Sequence, residues 1–278
     1  IGGMVMPAVI HFSFNAGTPT QAGIGIPMAT DIAFALGALA ILGNRIPSSL
    51  KVFVVAFAVI DDLGAIVIIA ALYTVELSVW YLVGGIAVLA LLLALNRLFR
   101  VMSLVPYLLG GALMWFFMLK SGVHATIAGV MLAFAIPFSA KDDDEESPSR
   151  TLENFLHKPV AFIILPIFAL ANTGVLVSAN WMQGLTSFNS IGLIVGLIVG
   201  KPLGVMLLCF VAVTSGICRL PRDLDWRHIV GAGILGGIGF TMSIFITNLA
   251  FVGDAETIRA SKLAILLASL AAGSMGFL

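Results

Sequence analysis

Four charged side chains lie inside long apolar runs, and they are the residues of this 278-residue chain whose types and spacing could do chemistry. They are Asp31 in Ala29-Thr30-Asp31-Ile32-Ala33-Phe34, the adjacent Asp61 and Asp62 in Val59-Ile60-Asp61-Asp62-Leu63-Gly64, and Lys201 in Gly200-Lys201-Pro202-Leu203. A charge at mid-membrane costs between about 3 and about 15 kcal/mol, so it faces a partner or a water-filled path. One lysine cannot neutralise three carboxylates. The excess acid has to be balanced by protons or by a metal cation. Asp61 and Asp62 point about 100° apart on a helix of 3.6 residues per turn. One can face a cavity while the other faces a partner such as Lys201. Carboxylates this close release their protons in coupled steps. A hard cation such as sodium takes oxygen ligands, here carboxylates, the Thr30 hydroxyl and unwound backbone carbonyls.

The elements that must position these residues are apolar helices. Hydrophobic residues make up 60% of the chain, charged residues 10%, and the mean hydropathy is +1.12. Soluble chains run near 45–50% apolar and about 25% charged, so the solvent of this protein is lipid. The 14 basic and 14 acidic residues cancel, which excludes a nucleic-acid protein relying on a basic field and an acidic disordered chain. Cys209 and Cys218 form neither a disulfide framework nor a metal cluster. Apolar segments run near 1–14, 22–43, 50–74, 78–98, 103–120, 122–138, 155–178, 186–216, 228–251 and 260–277. Crossing the hydrocarbon takes roughly 20 apolar residues as a helix, and none of these segments alternates like a barrel strand.

The expectation is an all-α, polytopic transmembrane helix bundle, a single transporter domain over 1–278 with about ten spanning segments. Its one plainly aqueous stretch is an acidic loop, 139–154, with Ser147-Pro148 reading as the N-cap and first residue of a helix. Ile1 sits inside an apolar run with no signal-peptide features, so the first segment reads as truncated and a native N-terminal portion as missing.

Lys and Arg set the orientation. With the break after the second segment cytoplasmic, that side holds ten basic residues: Arg45, Lys51, Arg97, Arg100, Lys141, Arg150, Lys158, Arg219, Arg222 and Arg227. The outer side holds Lys120, Arg259 and Lys262. That bias places the acidic loop and the C-terminus in the cytoplasm.

Two segments are interrupted. Pro27 disrupts the second a turn before Thr30-Asp31, and the ninth carries the run from Gly231 to Gly239. Paired interruptions in two halves of a chain point to a transport site, where helix ends of both signs meet. Asp31 and Lys201 supply one acid and one base for those ends. Gly231, Gly233 and Gly236 also fit G-x-G-x-x-G with Asp254 downstream, but no strand can precede them, so a dinucleotide site is excluded. Gly192, Gly196, Gly200 and Gly204 make one helix face flat enough for close packing. The histidines His11, His124, His157 and His228 lack ligand spacing. Glu153 and His157 are an i, i+4 pair, read on spacing alone as a surface pair.

Here the motifs become recognisable. Ala29-Thr30-Asp31-Ile32-Ala33-Phe34-Ala35-Leu36-Gly37, Ile60-Asp61-Asp62-Leu63-Gly64-Ala65, Lys120-Ser121-Gly122-Val123-His124-Ala125-Thr126, Gly200-Lys201-Pro202-Leu203-Gly204 and Gly237-Ile238-Gly239-Phe240-Thr241-Met242-Ser243-Ile244-Phe245 together resemble the NhaA-type sodium/proton antiporters of bacterial inner membranes. They occur in the family's order along essentially the whole chain.

The resemblance implies twelve spans in the complete protein, inverted repeats with two crossed, interrupted helices, and Na+ (or Li+) exchanged for protons by alternating access. It makes Asp62 the principal cation ligand, with Asp61 sharing the site while pairing with Lys201, and puts Thr30 and Asp31 at the crossing. It also places Glu153 and His157 in a cytoplasmic pH-sensing cluster, where one family histidine is replaced by Asn154. More than one titrating carboxylate implies electrogenic exchange. The expected partners are the lipid bilayer, Na+ and H+, with a homodimer for the full-length parent, whose dimer hairpin is absent from this chain. No cofactor, covalent chemistry or nucleic acid is expected.

Two other classes fit less well. An intramembrane aspartyl protease needs two acids converging from separate helices and has no use for Lys201. A symporter of an organic solute should line its cavity with more polar groups than Thr30 and Thr241.

Overall fold

The computed structural model describes residues 1–43, 46–74, 76–138, 147–175 and 181–277. Among them every regular element is helical: α1 (Gly2–Asn15), a 3-10 segment (Pro19–Met28), α2 (Ile32–Leu42), α3 (Ser48–Leu72), α4 (Val79–Arg97), α5 (Leu104–Ser121), α6 (Thr126–Ala135) and α7 (Pro148–Pro159). A π-turn (Val160–Ile164) leads into α8 (Leu165–Thr173). Then follow α9 (Trp181–Leu185), α10 (Phe188–Val195), a second π-turn (Gly196–Gly200), α11 (Lys201–Thr214), α12 (Trp226–Gly236), α13 (Phe240–Ala250) and α14 (Ala255–Phe277).

Seven helical stretches among the described residues are long and apolar enough to cross a membrane, or eight counting α12 with α13, which bend by 45° at their break. The chain is thus all-α and polytopic. Large apolar side chains such as Trp80, Phe162 and Leu170 stand exposed, as a lipid solvent allows. Arg45, Lys141 and residues 139–146 of the expected acidic loop lie outside the described residues. The end of that expected loop, 148–154, is helical instead, because the Ser147 side chain accepts the Arg150 amide and caps α7 at Pro148.

The chain forms two compact units, Ile1–Ala65 with Phe168–Leu278, and Ile66–Ile167. In the first unit, Ala35, Leu39, Leu50, Val54, Leu235 and Ile238 pack as a core. The glycine stripe seats α1 there. A Cβ on Gly192 would meet His11 and Asn15, one on Gly200 would meet Pro7, and one on Gly204 would run into the Gly2 carbonyl. The second unit has a core of its own around Leu92, Tyr107, Met114 and Met118.

Candidate functional site

Asp31, Thr30, Asp61, Asp62 and Lys201 all belong to the first unit, where the two interrupted segments meet. The 3-10 segment stops at Met28 and α2 begins at Ile32, leaving Ala29, Thr30 and Asp31 without helical structure. Gly237–Gly239 make the second break. The Asp31 amide donates to the Ile238 carbonyl at 2.6 Å, so the breaks fasten each other through their backbones.

Each helix end at the crossing finds a partner of opposite sign. Asp31 Oδ1 accepts the Phe34 amide at 3.3 Å, and Oδ2 accepts the Thr241 amide at 3.0 Å and the Thr241 hydroxyl at 2.6 Å. One carboxylate therefore closes the N-termini of α2 and α13, each carrying about half a positive charge. At the opposite ends, the Lys201 ammonium donates to the Met28 carbonyl at 2.5 Å, the Thr30 hydroxyl at 2.6 Å and Asp61 Oδ2 at 2.6 Å. All three ammonium hydrogens are thereby used. The Thr30 hydroxyl lies 3.0 Å from both Asp61 Oδ2 and the Gly236 carbonyl, the last of α12. With one hydrogen it serves one of them at a time.

Lys201 is fully buried, at the end of the Gly196–Gly200 π-turn, with its ammonium 6.0 Å from the Phe57 ring centroid. Register-shifting π-turns of this sort are frequent at functional sites. The adjacent acids diverge. Asp61 Oδ2 is in the ion pair with Lys201, whereas Asp61 Oδ1 and Asp62 Oδ1 are buried with no hydrogen-bond partner. A buried oxygen without a donor is costly unless it serves a proton, a water or an ion. Among the described residues no three acid, histidine or cysteine side chains converge into a metal cage. Two carboxylates, the Thr30 hydroxyl and freed backbone carbonyls are the oxygens the site offers.

Glu153 and His157 lie on α7 of the other unit, both exposed, and no ion pair joins them among the described residues. Spacing missed the backbone members of the site, the carbonyls of Met28, Gly236 and Ile238, because a carbonyl has no residue signature. Pro27 and the Gly231–Gly239 run were the hints that carbonyls nearby would be freed. It also missed the link from the Ser243 hydroxyl to the Ile26 carbonyl, 2.8 Å, which secures the 3-10 segment.

A buried excess of acid at two interrupted helices defines a secondary transporter of the broken-helix kind. The chain belongs to the family described as Na+/H+ antiporter 1, whose profile matches residues 1–278. It is 71% identical to a protein of Dechloromonas aromatica named Na(+)/H(+) antiporter NhaA, over the whole chain and 72% of that relative. Relatives of the same name in Cytophaga hutchinsonii and Vibrio campbellii are 59% and 50% identical, each over the whole chain and 71% of the relative. The family resemblance read from the motifs is thereby shown.

Proposed function

We propose that the protein exchanges Na+, or Li+, for protons across the bacterial inner membrane, with Asp62 as the principal ligand and Asp61 sharing the cation. The observation that carries this is the pair of buried, unpartnered oxygens, Asp61 Oδ1 and Asp62 Oδ1, beside the saturated Lys201. Charge accounting supports it. Lys201 balances Asp61, and two helix N-termini balance Asp31, which leaves Asp62 to hold either a proton or a cation. The same oxygens cannot hold both, so Na+ displaces protons.

A cation that also takes the unpartnered Asp61 Oδ1 competes with Lys201 for that acid, so a second proton leaves from the Asp61–Lys201 pair as the first leaves Asp62. Exchange is then electrogenic, driven by the membrane potential. Alternating access follows from rocking of the interrupted helices about the crossing. We assign 1–278 to one transporter domain whose C-terminus is cytoplasmic, as the basic residues indicate. Glu153 and His157 on α7 serve pH regulation, and the intact protein works as a homodimer. No resident cofactor is required, and the reaction is transport rather than catalysis of bond making.

The test uses Asp62→Asn, which keeps volume and hydrogen bonding but loses the charge. Isothermal titration with Na+ at alkaline pH, in buffers of different ionisation enthalpy, reads binding and proton release together. Wild type should release protons on binding, and Asp62→Asn should do neither while remaining folded. Asp61→Asn should retain some binding. Undiminished proton release from Asp62→Asn would overturn the competition mechanism.

A further inference from the structure

His11 is a titratable side chain that this exchange does not use, fully buried in α1. Its Nε2 lies 3.1 Å from Asn189 Oδ1, and the Asn189 amide donates to the Ser261 hydroxyl at 2.8 Å. With the amide nitrogen committed to Ser261, the Asn189 oxygen faces the ring, and Nε2 carries the hydrogen. Nδ1 is then a bare lone pair, buried and without a partner.

The groups facing the ring are uncharged, Gly23 from the 3-10 segment and Asn189 and Gly192 from α10, and Asn189 is backed by the Ser261 hydroxyl from α14. The charged groups on the elements around it are engaged or face elsewhere. Lys201, following the second π-turn, is committed to Met28, Thr30 and Asp61. Lys262 on α14 donates to the Asn172 carbonyl at 2.7 Å. Glu256 and Arg259, also on α14, line a cavity of about 730 Å³ together with Thr18, Thr20 and Trp181. Asn189 lines the same cavity. Asn189 therefore contacts both His11 and this vestibule.

We propose that His11 is a second proton-binding site, reached from the vestibule through Asn189, and that its occupancy is coupled to opening of the vestibule floor. A proton on Nδ1 makes an imidazolium that meets no acid and no acceptor in the packed arrangement, which disfavours it there. A conformation that lets water reach Nδ1 binds the same proton better. By linkage, protons on the vestibule side then favour that conformation. Histidine suits the task because modest changes in solvation carry it across physiological pH. His11 passes no proton to Asp61 or Asp62; it sets access to them.

The proposal rests on the antiport reading for its transport assay alone. His11→Gln keeps a donor for Asn189 but cannot titrate. In oriented proteoliposomes with pH set separately on each side, wild-type exchange should change by about fivefold or more across a step between about pH 5 and 8 on the vestibule side. His11→Gln should lose the part of that step set by His11, keeping on both sides the dependence that proton exchange itself imposes. Superimposable vestibule-side profiles overturn the proposal. Ring 15N resonances of the intact wild-type protein give an arm independent of transport and of the variant's folding. Nδ1 should be bare at pH 8 and gain a proton on acidification, and a ring that stays neutral down to about pH 5 overturns the proposal. Wild type that exchanges nothing sinks the antiport reading instead, and the resonances still decide His11.

Discussion

The two units of this chain bury different things. Among the described residues of Ile66–Ile167 the buried side chains are apolar apart from Tyr107, Ser121 and Ser147. Each of these polar groups is spent on backbone: the Tyr107 hydroxyl donates to the Val101 carbonyl at 3.0 Å, Ser121 to the Met118 carbonyl at 2.7 Å, and Ser147 caps α7. The other unit buries Asp31, Asp61, Lys201, His11, Asn189 and Thr241 among others. It also holds every buried side-chain oxygen or nitrogen found unpartnered among the described residues, on His11, Asp61 and Asp62. Lipid is as apolar as leucine, so helices in a membrane associate by close packing and hydrogen bonds. The second unit relies on packing. The first uses hydrogen bonds to hold two breaks together and leaves three buried polar atoms without a partner.

The comparison breaks most readily at Lys201. Lys201→Ala leaves Asp61 charged and buried and frees the Met28 carbonyl, a loss of about 3–5 kcal/mol for one member of a buried pair. Thermal melts in detergent should show a large fall in Tm. The double variant Lys201→Ala with Asp61→Ala should recover much of it, because no uncompensated charge remains. If Lys201→Ala melts like wild type, the pairing is not what holds the crossing.

Met114 is the matching test in the other unit, fully buried in its apolar core. Truncating a buried methionine to alanine costs about 2–5 kcal/mol in water-soluble proteins. The lower end applies here, since the hydrophobic contribution is weaker where lipid surrounds the bundle. Met114→Ala should lower Tm while the Na+ midpoint and proton release of the surviving fold stay at wild-type values. An altered proton count would show that the packed unit takes part in the chemistry.

Much of this contrast was legible in the residues. Segments near 78–98 and 103–120 became α4, Val79–Arg97, and α5, Leu104–Ser121, because unbroken apolar runs in lipid have no alternative to helix. Pro27 and the Gly231–Gly239 run marked both breaks, and the four-residue glycine spacing marked the face that receives α1. Which of Asp61 and Asp62 meets Lys201 was not legible from spacing. Adjacent residues always diverge, and the rotation of α3 is set by packing partners far along the chain. The role of His11 was hidden for a similar reason. Its partner Asn189 is 178 residues away, Asn189 in turn is held by Ser261 another 72 residues on, and nothing in their spacing connects them.

The smallest expected effect lies outside the membrane spans, at Asp254. Its carboxylate caps α14, accepting the Thr257 amide at 3.0 Å and the Thr257 hydroxyl at 2.6 Å. The Thr257 hydroxyl, then its amide, hold the Asp254 carboxyl below its ordinary value of 3.8, because both donors favour the ionised form. A depressed folded value means that the stabilisation is complete above the unfolded value and disappears as pH falls through the folded one. Asp254→Ala should therefore cost about 1 kcal/mol at neutral pH, the usual loss for an N-cap, read as a small drop in Tm. The gap between variant and wild type should close as pH falls below about 4. Proton release on Na+ binding should not change, since this cap lies in the first unit but touches none of its free oxygens. A gap that persists undiminished in acid would mean that Asp254 stabilises α14 by something other than its charge.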